Sequence, residues 1–491
     1  MTAPKPKATV KETLAQLFET QFGSQPDFIE ALPVSGSDRE YYRLTDAKNT
    51  AIGTYNSNVN ENNSYYYFTD LFLKHGVNVP VVYQRSKDKK HYLQQDLGNM
   101  SLFEKLMKEG LTPEVKACFQ KALDELAKLQ WGASTEANYD QCFATKKFDE
   151  KAIMQDLLYF KFYFADLQKI HYDKLGVLQE MEEWSRELGR IQPQVLMYRD
   201  FQSRNIMLHE GKTYLIDYQG AMQGPPHYDV ASLLWQAKAH LPQEWKEELL
   251  RGYIAKLQEM PSARMDELHF RKGYMQFVLL RLLQVLGAYG FRGLLEKKPH
   301  FLSSIVPALK NLGQFLSDNP GLPAYPELRK LLENISSAPV QAIYDIPAVE
   351  KTESKLNIQI NSFSYKNGYP EAPSEHGGGF VFDCRGILNP GRFDEYKTIT
   401  GQDASVQDFL MQKTAMPLFL EHVFALVSIN VEDYLVRGFD HLAISFGCTG
   451  GQHRSVFAAE ELAKFLSRKY GIEADVKHLN KTKWVLEKVS K

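Results

Sequence analysis

The chain has 491 residues, of which 44% are hydrophobic and 24% charged, and its formal net charge is −2. This length exceeds what one hydrophobic core supports, so two or three domains of ordinary globular composition are predicted. A charge so close to zero gives no overall attraction to nucleic acid or to an anionic membrane surface. Apart from what a local charged patch could bind, the overall charge therefore predicts neither nucleic acid nor a membrane as a partner, and we assign no oligomeric state.

The cysteine content and the chain ends bear on the compartment. Four cysteines lie far apart without metal-ligand spacing, which suits a reducing, cytoplasmic environment. Residues 1–9 lack the apolar segment of a signal peptide and predict a disordered tail. The longest apolar run, residues 274–291, contains Arg281 and Gln284, so it predicts a buried helix rather than a membrane span.

The first elements suggest a nucleotide site. Helical periodicity over residues 11–22 is followed by a small-residue loop at 33–39 and an alternating strand. Backbone N–H groups of such a loop can face nucleotide phosphates; the residues concerned are Ser35, Gly36 and Ser37. With a single glycine, an ordinary turn is an equally good interpretation of this loop taken alone. Arg39 at its end either reaches a phosphate or is solvated.

The next strand departs from the pattern of protein kinases. Residues 50–55 contain no lysine, whereas kinases place one there to pair with ATP phosphates. The nearest lysine, Lys48, precedes the strand, so Glu61 on the following helix would lack its usual cationic partner. Two interpretations stay open: a branch that positions the triphosphate without this lysine, or a weakened enzyme. The catalytic residues further along favour activity.

A hinge is predicted after the strand at residues 91–95, where the chain leaves a small lobe. Kinases bind adenine through the backbone at this point, so Gln95 and Leu97 are predicted nucleotide contacts. Amphipathic helices of a larger lobe follow over residues 102–132 and 148–164.

The stretch 196–220 carries the strongest signal. Its predicted strands are 195–197, 206–208 and 214–216. A turn at 210–212 folds the last two into a hairpin, so Asn205 and Asp217 emerge on the same side, close to Asp200. Two of these oxygen-bearing side chains can hold Mg²⁺ while Asp200 accepts a proton. The spacing Y-R-D-x-x-x-x-N and then D-Y-Q matches the catalytic loops of protein kinases, with Tyr198 in place of the usual histidine.

These residues resemble the aminoglycoside-phosphotransferase branch of the kinase-like fold. Within it, RDFQSRNIML, LIDYQGAMQGPPHYDVASLL and the upstream GVNVP and QDLG are most similar to AmgK-like bacterial anomeric kinases of cell-wall amino sugars. The resemblance spans roughly residues 33–240. It implies a bilobal fold, ATP and Mg²⁺ as cofactors, and phosphorylation of N-acetylmuramate or N-acetylglucosamine at the anomeric oxygen during cell-wall recycling.

A second domain follows a predicted linker at residues 337–355, which loses periodicity and carries two prolines and several charges. Strands are predicted at 358–360, 380–382 and 441–446. The last runs into a glycine-rich loop and then an amphipathic helix over 456–470. The amides of such a loop and the helix N-terminus point at one spot that favours phosphate.

The loop also has the spacing of a cysteine-phosphatase cradle, C-x₅-R-S. In that interpretation Cys448 would be a nucleophile, and Arg454 and Ser455 would wrap the phosphate. A purely structural glycine turn is the remaining alternative.

GCTGGQHRSV, FVFDCRGILNPGRF, TGQD and SFSYKNGYP together resemble the C-terminal domain of RapZ, the bacterial RNase-adaptor protein, over residues 356–485. The resemblance implies a domain that binds glucosamine-6-phosphate as a signal without hydrolysing it. The phosphosugar contacts it implies in this chain are Cys448, Thr449, Gly450, Gly451, His453, Arg454 and Ser455. Two features depart from that family: a kinase-like domain replaces its nucleotide-binding half, and Asn367 stands where the family has histidine.

Together these features predict an α+β bilobal kinase-like domain (residues 10–336, with lobes at about 10–96 and 97–336) and a smaller α/β domain (356–491). The predicted function is an amino-sugar kinase joined to a phosphosugar-binding domain. Two alternatives stay open. The missing lysine favours a pseudokinase scaffold fused to a sensor, whereas C-x₅-R-S favours a kinase joined to a cysteine phosphatase.

Overall fold

The structure is a computed structural model that describes residues 9–32, 39–260, 263, 266–344, 356–370 and 379–485. The chain divides into two compact units, residues 1–346 and 347–491. Some predictions lie outside the described residues: the tail before residue 9, residues 345–355 of the linker, and the phosphate contacts at Ser35, Gly36 and Ser37.

The first unit begins with a small lobe built on five antiparallel strands in the order β1-β2-β3-β5-β4. Its elements are α1 (Val10–Phe22), β1 (Phe28–Ala31), β2 (Glu40–Thr45), β3 (Thr50–Tyr55), α2 (Val59–Lys74), β4 (Val82–Arg85) and β5 (His91–Gln95). A capping box of Thr9 and Glu12 starts α1, whose buried Leu14 and Phe18 pack on the sheet. Gly53 permits this packing, because a Cβ there would lie 2.9 Å from Leu14.

The large lobe is mostly helical and follows in the same unit. Its elements are α3 (Leu102–Glu109), α4 (Pro113–Ala127), α5 (Glu150–Tyr163), α6 (Lys174–Gly189), β6 (Val195–Met197), β7 (Ile206–His209), β8 (Lys212–Leu215), β9 (Met222–Gly224), α7 (His227–Leu234), α8 (Gln243–Gln258), α9 (Glu267–Tyr289), α10 (Pro299–Leu302), α11 (Ile305–Asp318), α12 (Pro326–Ile335) and α13 (Ala338–Tyr344). The helix predicted over 102–132 is interrupted, because Gly110 adopts a φ of 71° and Thr112 caps a new helix.

The strands β7 and β8 form the predicted hairpin. They are joined by Glu210 and Gly211, which both have positive φ (48° and 74°), as the two-residue turn that matches strand twist requires. Ile206 pairs with Leu215 at the open end of the hairpin. Residues just outside this pair therefore emerge at the same end.

Part of the predicted linker is helical instead. Residues 338–344 form α13, where Val340 is buried and the hydroxyl of Tyr344 donates to the side-chain oxygen of Gln168 (2.8 Å). The linker was predicted partly because of Pro339, but proline is well tolerated in the first turn of a helix. Packing of α13 against the large lobe therefore overrode the local signal.

The second unit contains a four-stranded parallel sheet in the order β11-β12-β10-β13. Its elements are β10 (Asn357–Ser364), β11 (Gly379–Asp383), α14 (Ala404–Lys413), α15 (Met416–Arg437), β12 (His441–Cys448), α16 (Arg454–Tyr470) and β13 (Asp475–His478). Ile360, Ile444 and Leu462 are fully buried in its core. The predicted fold class, a bilobal α+β unit followed by a smaller α/β unit, is confirmed.

One described helix, Glu267–Leu295, is long and apolar enough to cross a membrane, and 56% of its apolar window is buried inside the protein. It includes α9, which packs against other helices of the large lobe. The helices α14 and α15 meet the same criterion only as a pair, and they are bent by 89°.

Candidate functional site

Three side chains from the strongest sequence motif meet beyond the open end of the β7–β8 hairpin. The amide nitrogen of Asn205 donates to the backbone carbonyl of Asp200 (2.9 Å) and lies 3.5 Å from a carboxylate oxygen of Asp217. The backbone N–H of Ile216 donates to the carbonyl of Asn205 (3.0 Å), which fixes the hairpin end beside this cluster. The structure thus brings Asp200, Asn205 and Asp217 together.

Asp229 on α7 holds the loop of residues 198–205, named here the Asp200 loop. Its two carboxylate oxygens accept hydrogen bonds from the backbone N–H groups of Tyr198 (2.7 Å) and Arg199 (2.9 Å), and one also accepts from the side chain of Gln130 (2.9 Å). These bonds stabilise Arg199 at a φ of 84°, a conformation rare for residues other than glycine. Complete burial raises the pKa of Asp229 to about 7, although its N–H donors oppose that shift.

Tyr198 connects the Asp200 loop to the segment after β8 that carries Asp217. Its ring is fully buried, and its hydroxyl donates to the backbone carbonyl of Ile216. Arg199, the next residue, forms a two-pronged ion pair with Asp156 on α5 (2.7 and 2.9 Å). The backbone on both sides of the site is therefore fixed by side chains from the large lobe.

A buried arginine faces Asp200 from α9. Arg281 is 4% exposed, and its guanidinium lies 3.7 Å from the Asp200 carboxylate. It also donates to the hydroxyl of Tyr228 (3.2 Å) and to the side-chain oxygen of Gln284. Because Asp200 itself is half exposed, this arrangement orients its carboxylate and leaves it accessible.

Another buried arginine lies on the opposite side of the cluster. Arg39 is 4% exposed and donates to Glu61 on α2 (2.7 Å), and its guanidinium lies 3.6 Å from Asp217. Asn56 donates to the second oxygen of Glu61 (2.9 Å). The expectation that Glu61 lacks a cationic partner was therefore wrong. Of the two alternatives left open for Arg39, its burial excludes the solvated one.

The two predicted hinge residues differ in what they can offer a nucleotide. The backbone N–H of Gln95 already donates to the carbonyl of Val81 (2.9 Å). Leu97 is 5% exposed, and in the described part of the chain its backbone N–H and C=O make no hydrogen bond. The geometry of Leu97 is therefore the better suited of the two to bind an adenine edge.

The second unit carries the glycine loop, residues 447–455, between β12 and α16. The thiol of Cys448 is buried; it accepts from the N–H of Gly451 (3.2 Å) and lies 3.1 Å from the hydroxyl of Ser455. Gly451 has a φ of 65°, and a Cβ there would lie 2.9 Å from Asn480. Cys448 is 2% exposed, and buried cysteines are ordinarily unreactive.

Arg454 is anchored through one end of its guanidinium. Its Nη1 donates to the carbonyls of Arg385 (3.1 Å) and Ile387 (2.7 Å), and its Nη2 lies 3.4 Å from the hydroxyl of Thr449. Its buried Nε has no partner among the described residues. The edge formed by Nε and Nη2 is therefore the less engaged side of the guanidinium, with Nε buried and Nη2 making one long contact among the described residues. Such an edge has the geometry that suits two oxygens of one phosphate.

Other loop residues divide into anchors and exposed positions. His453 shares a hydrogen bond between its Nε2 and the carbonyl of Tyr396 (2.8 Å), and burial lowers the pKa of His453, so the ring is neutral at neutral pH. Gln452 donates to the carbonyl of Ile399 (2.9 Å). Gly450 is exposed, and a Cβ there would meet nothing within 4 Å. Its predicted role in ligand binding stays a prediction.

Comparison with family models agrees with both halves of this description. Residues 29–265 match the phosphotransferase enzyme family (APH), and residues 356–482 match the RapZ C-terminal domain. The chain joins an APH phosphotransferase domain to a RapZ C-terminal domain. The APH domain contains Asp200, Asn205 and Asp217, and the RapZ C-terminal domain contains the whole glycine loop.

Curated relatives match only part of the chain. A nucleotide-binding protein of Cereibacter sphaeroides is 40% identical over 114 residues, which are 23% of this chain and 36% of that protein. A nucleotide-binding protein of Lactobacillus acidophilus is 29% identical over 181 residues, which are 37% of this chain and 55% of that protein. The chain spans about a third to just over half the length of these relatives.

Solved structures similar to this chain include several kinases. A choline/ethanolamine kinase family protein of Mesorhizobium loti has a TM-score of 0.43 at 15% identity, covering 66% of this chain and 98% of its own. An amicoumacin kinase in complex with AMP-PNP, Ca²⁺ and amicoumacin has a TM-score of 0.44 at 14% identity, covering 62% and 88%. The aminoglycoside phosphotransferase APH(4)-Ia has a TM-score of 0.42 at 16% identity, covering 62% and 99%.

The donor set of the APH domain fits a nucleotide-bound Mg²⁺. The amide nitrogen of Asn205 is engaged by Asp200 and Asp217, so its side-chain oxygen would be the atom that a metal could use, together with the Asp217 carboxylate. The described residues contain no group of three or more His, Cys, Asp or Glu side chains that would hold a metal without help. Magnesium in phosphoryl-transfer sites takes few protein oxygens and completes its shell with phosphate and water, so two ligands suffice.

Sequence reasoning missed several groups of the APH and RapZ C-terminal domains. The contacts of Tyr198 with Ile216 and of Arg281 with Asp200 join residues 18 and 81 positions apart. The local sequence does not indicate which distant residue either side chain contacts. For Arg281, a charge inside an apolar helix was the available signal.

Proposed function

We propose that the chain is an ATP- and Mg²⁺-dependent phosphotransferase whose acceptor is the hydroxyl of an amino sugar. The cluster of Asp200, Asn205 and Asp217 carries this proposal, because it supplies one proton acceptor and two metal-ligand oxygens at one place. Bound Mg²⁺ would neutralise charge on the ATP phosphates. Asp200 would orient the acceptor hydroxyl and take its proton, so catalysis consists mostly of positioning.

The surroundings of Asp200 support its role as the base. Arg281 contacts one carboxylate oxygen from the buried side, and the half-exposed carboxylate remains open toward the acceptor. Asp229 fixes the backbone on which Asp200 stands. A base held in this way needs little reorganisation when the hydroxyl arrives.

For the acceptor we propose N-acetylmuramate or N-acetylglucosamine, phosphorylated at the anomeric oxygen in cytoplasmic cell-wall recycling. The support is the similarity of RDFQSRNIML and DYQGAMQGPPHYD to the AmgK-like kinases. Within this stretch, the Asp229 carboxylate accepts hydrogen bonds from the backbone N–H groups of Tyr198 and Arg199, so the two motifs are joined in the structure.

For the RapZ C-terminal domain we propose binding of a phosphosugar, such as glucosamine-6-phosphate, without hydrolysis. The sparsely engaged Nε–Nη2 edge of Arg454, with the hydroxyl of Thr449 beside it, supports a phosphate site. The burial of Cys448 supports binding over the phosphatase alternative. Nucleic acid is not proposed as a ligand.

The experiment that tests this function is ³¹P NMR of the protein with Mg-ATP and a panel of amino sugars. We expect a new anomeric phosphate signal with N-acetylmuramate or N-acetylglucosamine. A 6-phosphate would keep the kinase and change the assigned hydroxyl. ATP binding without any product would instead favour the pseudokinase alternative, which β3 favours by lacking a lysine.

A further inference from the structure

The small lobe lacks a cationic side chain on β3, whose sequence is TAIGTY. A buried cation nevertheless lies at the active site. Arg39, directly before β2, has a side chain that is 3% exposed. Its guanidinium contacts Glu61 of the small lobe (2.7 Å) and Asp217 of the large lobe (3.6 Å). In kinases the β3 lysine occupies this electrostatic position, between the helix glutamate and the phosphates.

Glu61 is held in place for this contact. Its first oxygen accepts from Arg39, and its second accepts from Asn56, the residue directly after β3 (2.9 Å). Its backbone N–H is capped by Asn58 at the start of α2 (3.2 Å). The carboxylate is therefore fixed at both ends and in turn fixes the arginine.

The guanidinium keeps donor capacity beyond these contacts. Its Nε is buried without a partner among the described residues, and its Nη1 reaches only long contacts, to the hydroxyl of Tyr41 (3.5 Å) and to Asp217 (3.6 Å). A buried donor left unsatisfied is costly, so a purely structural arginine would be expected to use all of its N–H groups. Asp217, by contrast, is 44% exposed, so this side of the guanidinium borders the open site.

We propose that Arg39 binds the nucleotide phosphates in place of the missing strand lysine, with Glu61 as its anchor. This rests on the proposed function only in that the APH domain binds ATP. A planar guanidinium offers two parallel donors to phosphate oxygens and stays charged at any physiological pH. In this chain the cation is therefore supplied by the residue directly before β2, and not by β3 as in protein kinases.

Calorimetric titration with Mg·AMP-PNP and, by competition, with adenosine tests this role on the full chain. The variants are Arg39→Ala, Arg39→Lys and the uncharged, hydrogen-bonding Arg39→Gln. The matched control is Arg85→Ala, since Arg85 lies on β4 of the same lobe and pairs with Asp70 on α2 instead. Thermal unfolding of each variant identifies any that fails to fold.

We expect Arg39→Ala to weaken AMP-PNP binding by about ten- to a hundredfold, as for loss of a charged hydrogen bond, and to leave adenosine affinity unchanged. The AMP-PNP affinity of Arg39→Lys should lie between those of the parent chain and Arg39→Ala. The affinity of Arg39→Gln should resemble that of Arg39→Ala. If Arg39→Ala lowers the affinities for AMP-PNP and adenosine equally, or changes neither, the proposal is overturned and Arg39 has a structural role only. If the parent chain binds AMP-PNP but phosphorylates no sugar, the substrate assignment fails while this result stands.

Discussion

The hydroxyl of Tyr198 donates to the backbone carbonyl of Ile216, the residue directly before Asp217. This bond joins the Asp200 loop to the segment that carries Asp217 through a fully buried ring. Protein kinases have histidine at the position of Tyr198. A tyrosine there can still link the two segments, because its hydroxyl reaches the same stretch of backbone.

Replacing Tyr198 with phenylalanine should keep the packing and remove that link. We expect a loss of about 1 kcal/mol in the free energy of unfolding, together with a fall in kcat, because Asp200 and Asp217 are no longer held in register. Tyr274→Phe is the matched control: its buried hydroxyl accepts from Trp235 (3.2 Å), away from the Asp200 loop. An equal change in kcat for both variants would contradict the linking role.

Asp200→Ala should lower kcat by about 10²–10⁴-fold, the usual contribution of a general base, and leave Mg-ATP affinity unchanged. Asp217→Ala should weaken Mg-ATP binding as well, because it removes one of two protein oxygens offered to the metal. Steady-state kinetics and calorimetry separate the two effects. If both variants turn over at the parent rate, the site is assigned to the wrong residues.

A reducing amino sugar should be phosphorylated and its methyl glycoside should not, since the glycoside has no free anomeric hydroxyl. The ring substituents of the two compounds are otherwise the same, so the glycoside serves as a control for binding. ³¹P NMR or a coupled ADP assay measures the rates. Equal rates on both compounds would move the reaction to another hydroxyl.

Arg454→Ala should weaken glucosamine-6-phosphate binding by about ten- to a hundredfold, or roughly 1.5–3 kcal/mol, because the Nε–Nη2 edge is lost. Cys448→Ser should retain binding, and no phosphate should be released by either protein. Calorimetry on the full chain, with a phosphate-release assay, measures both. Phosphate release that disappears in Cys448→Ser would support the phosphatase; absence of binding by the parent chain would leave a structural turn.

The buried carboxyl of Asp229 should make stability depend on pH. Its pKa is raised to about 7 in the folded chain, against about 3.9 when unfolded. Between about pH 4 and about pH 7, the folded state therefore keeps a proton on Asp229 that the unfolded state has lost. The stability that Asp229 contributes is full below about pH 4 and is lost as pH rises through about 7. Denaturant unfolding of the parent chain and Asp229→Asn should show the parent losing stability relative to the variant over this range. A difference that is constant with pH would exclude the shift.

Local patterns were sufficient for much of the fold and for the main cluster. The hairpin follows from Glu210 and Gly211 in a two-residue turn, and its ends place Asn205 beside Asp217 without any tertiary information. The strand, glycine loop and helix around Cys448 are equally local. In each case the residues that matter lie within about a dozen positions of one another.

Contacts between distant residues were beyond this reasoning. Arg454 is anchored by carbonyls 67 and 69 positions away. The sequence therefore predicts a positive charge at the loop, but it does not predict which edge of the guanidinium these carbonyls engage. The helix Ala338–Tyr344 forms because Val340 and Tyr344 find partners on the large lobe, against a local composition typical of a linker.

The pair formed by Arg39 and Glu61 bears on how inactive kinases are recognised. If β3 alone were inspected, this chain would be classed among kinase-like proteins that have lost catalysis, because β3 has no lysine. Glu61 is nevertheless engaged by a cation that enters from the neighbouring strand, 22 positions earlier in the chain. In this chain the missing lysine does not leave the helix glutamate without a cation, so a buried partner of Glu61 is a second criterion to set beside the sequence of β3.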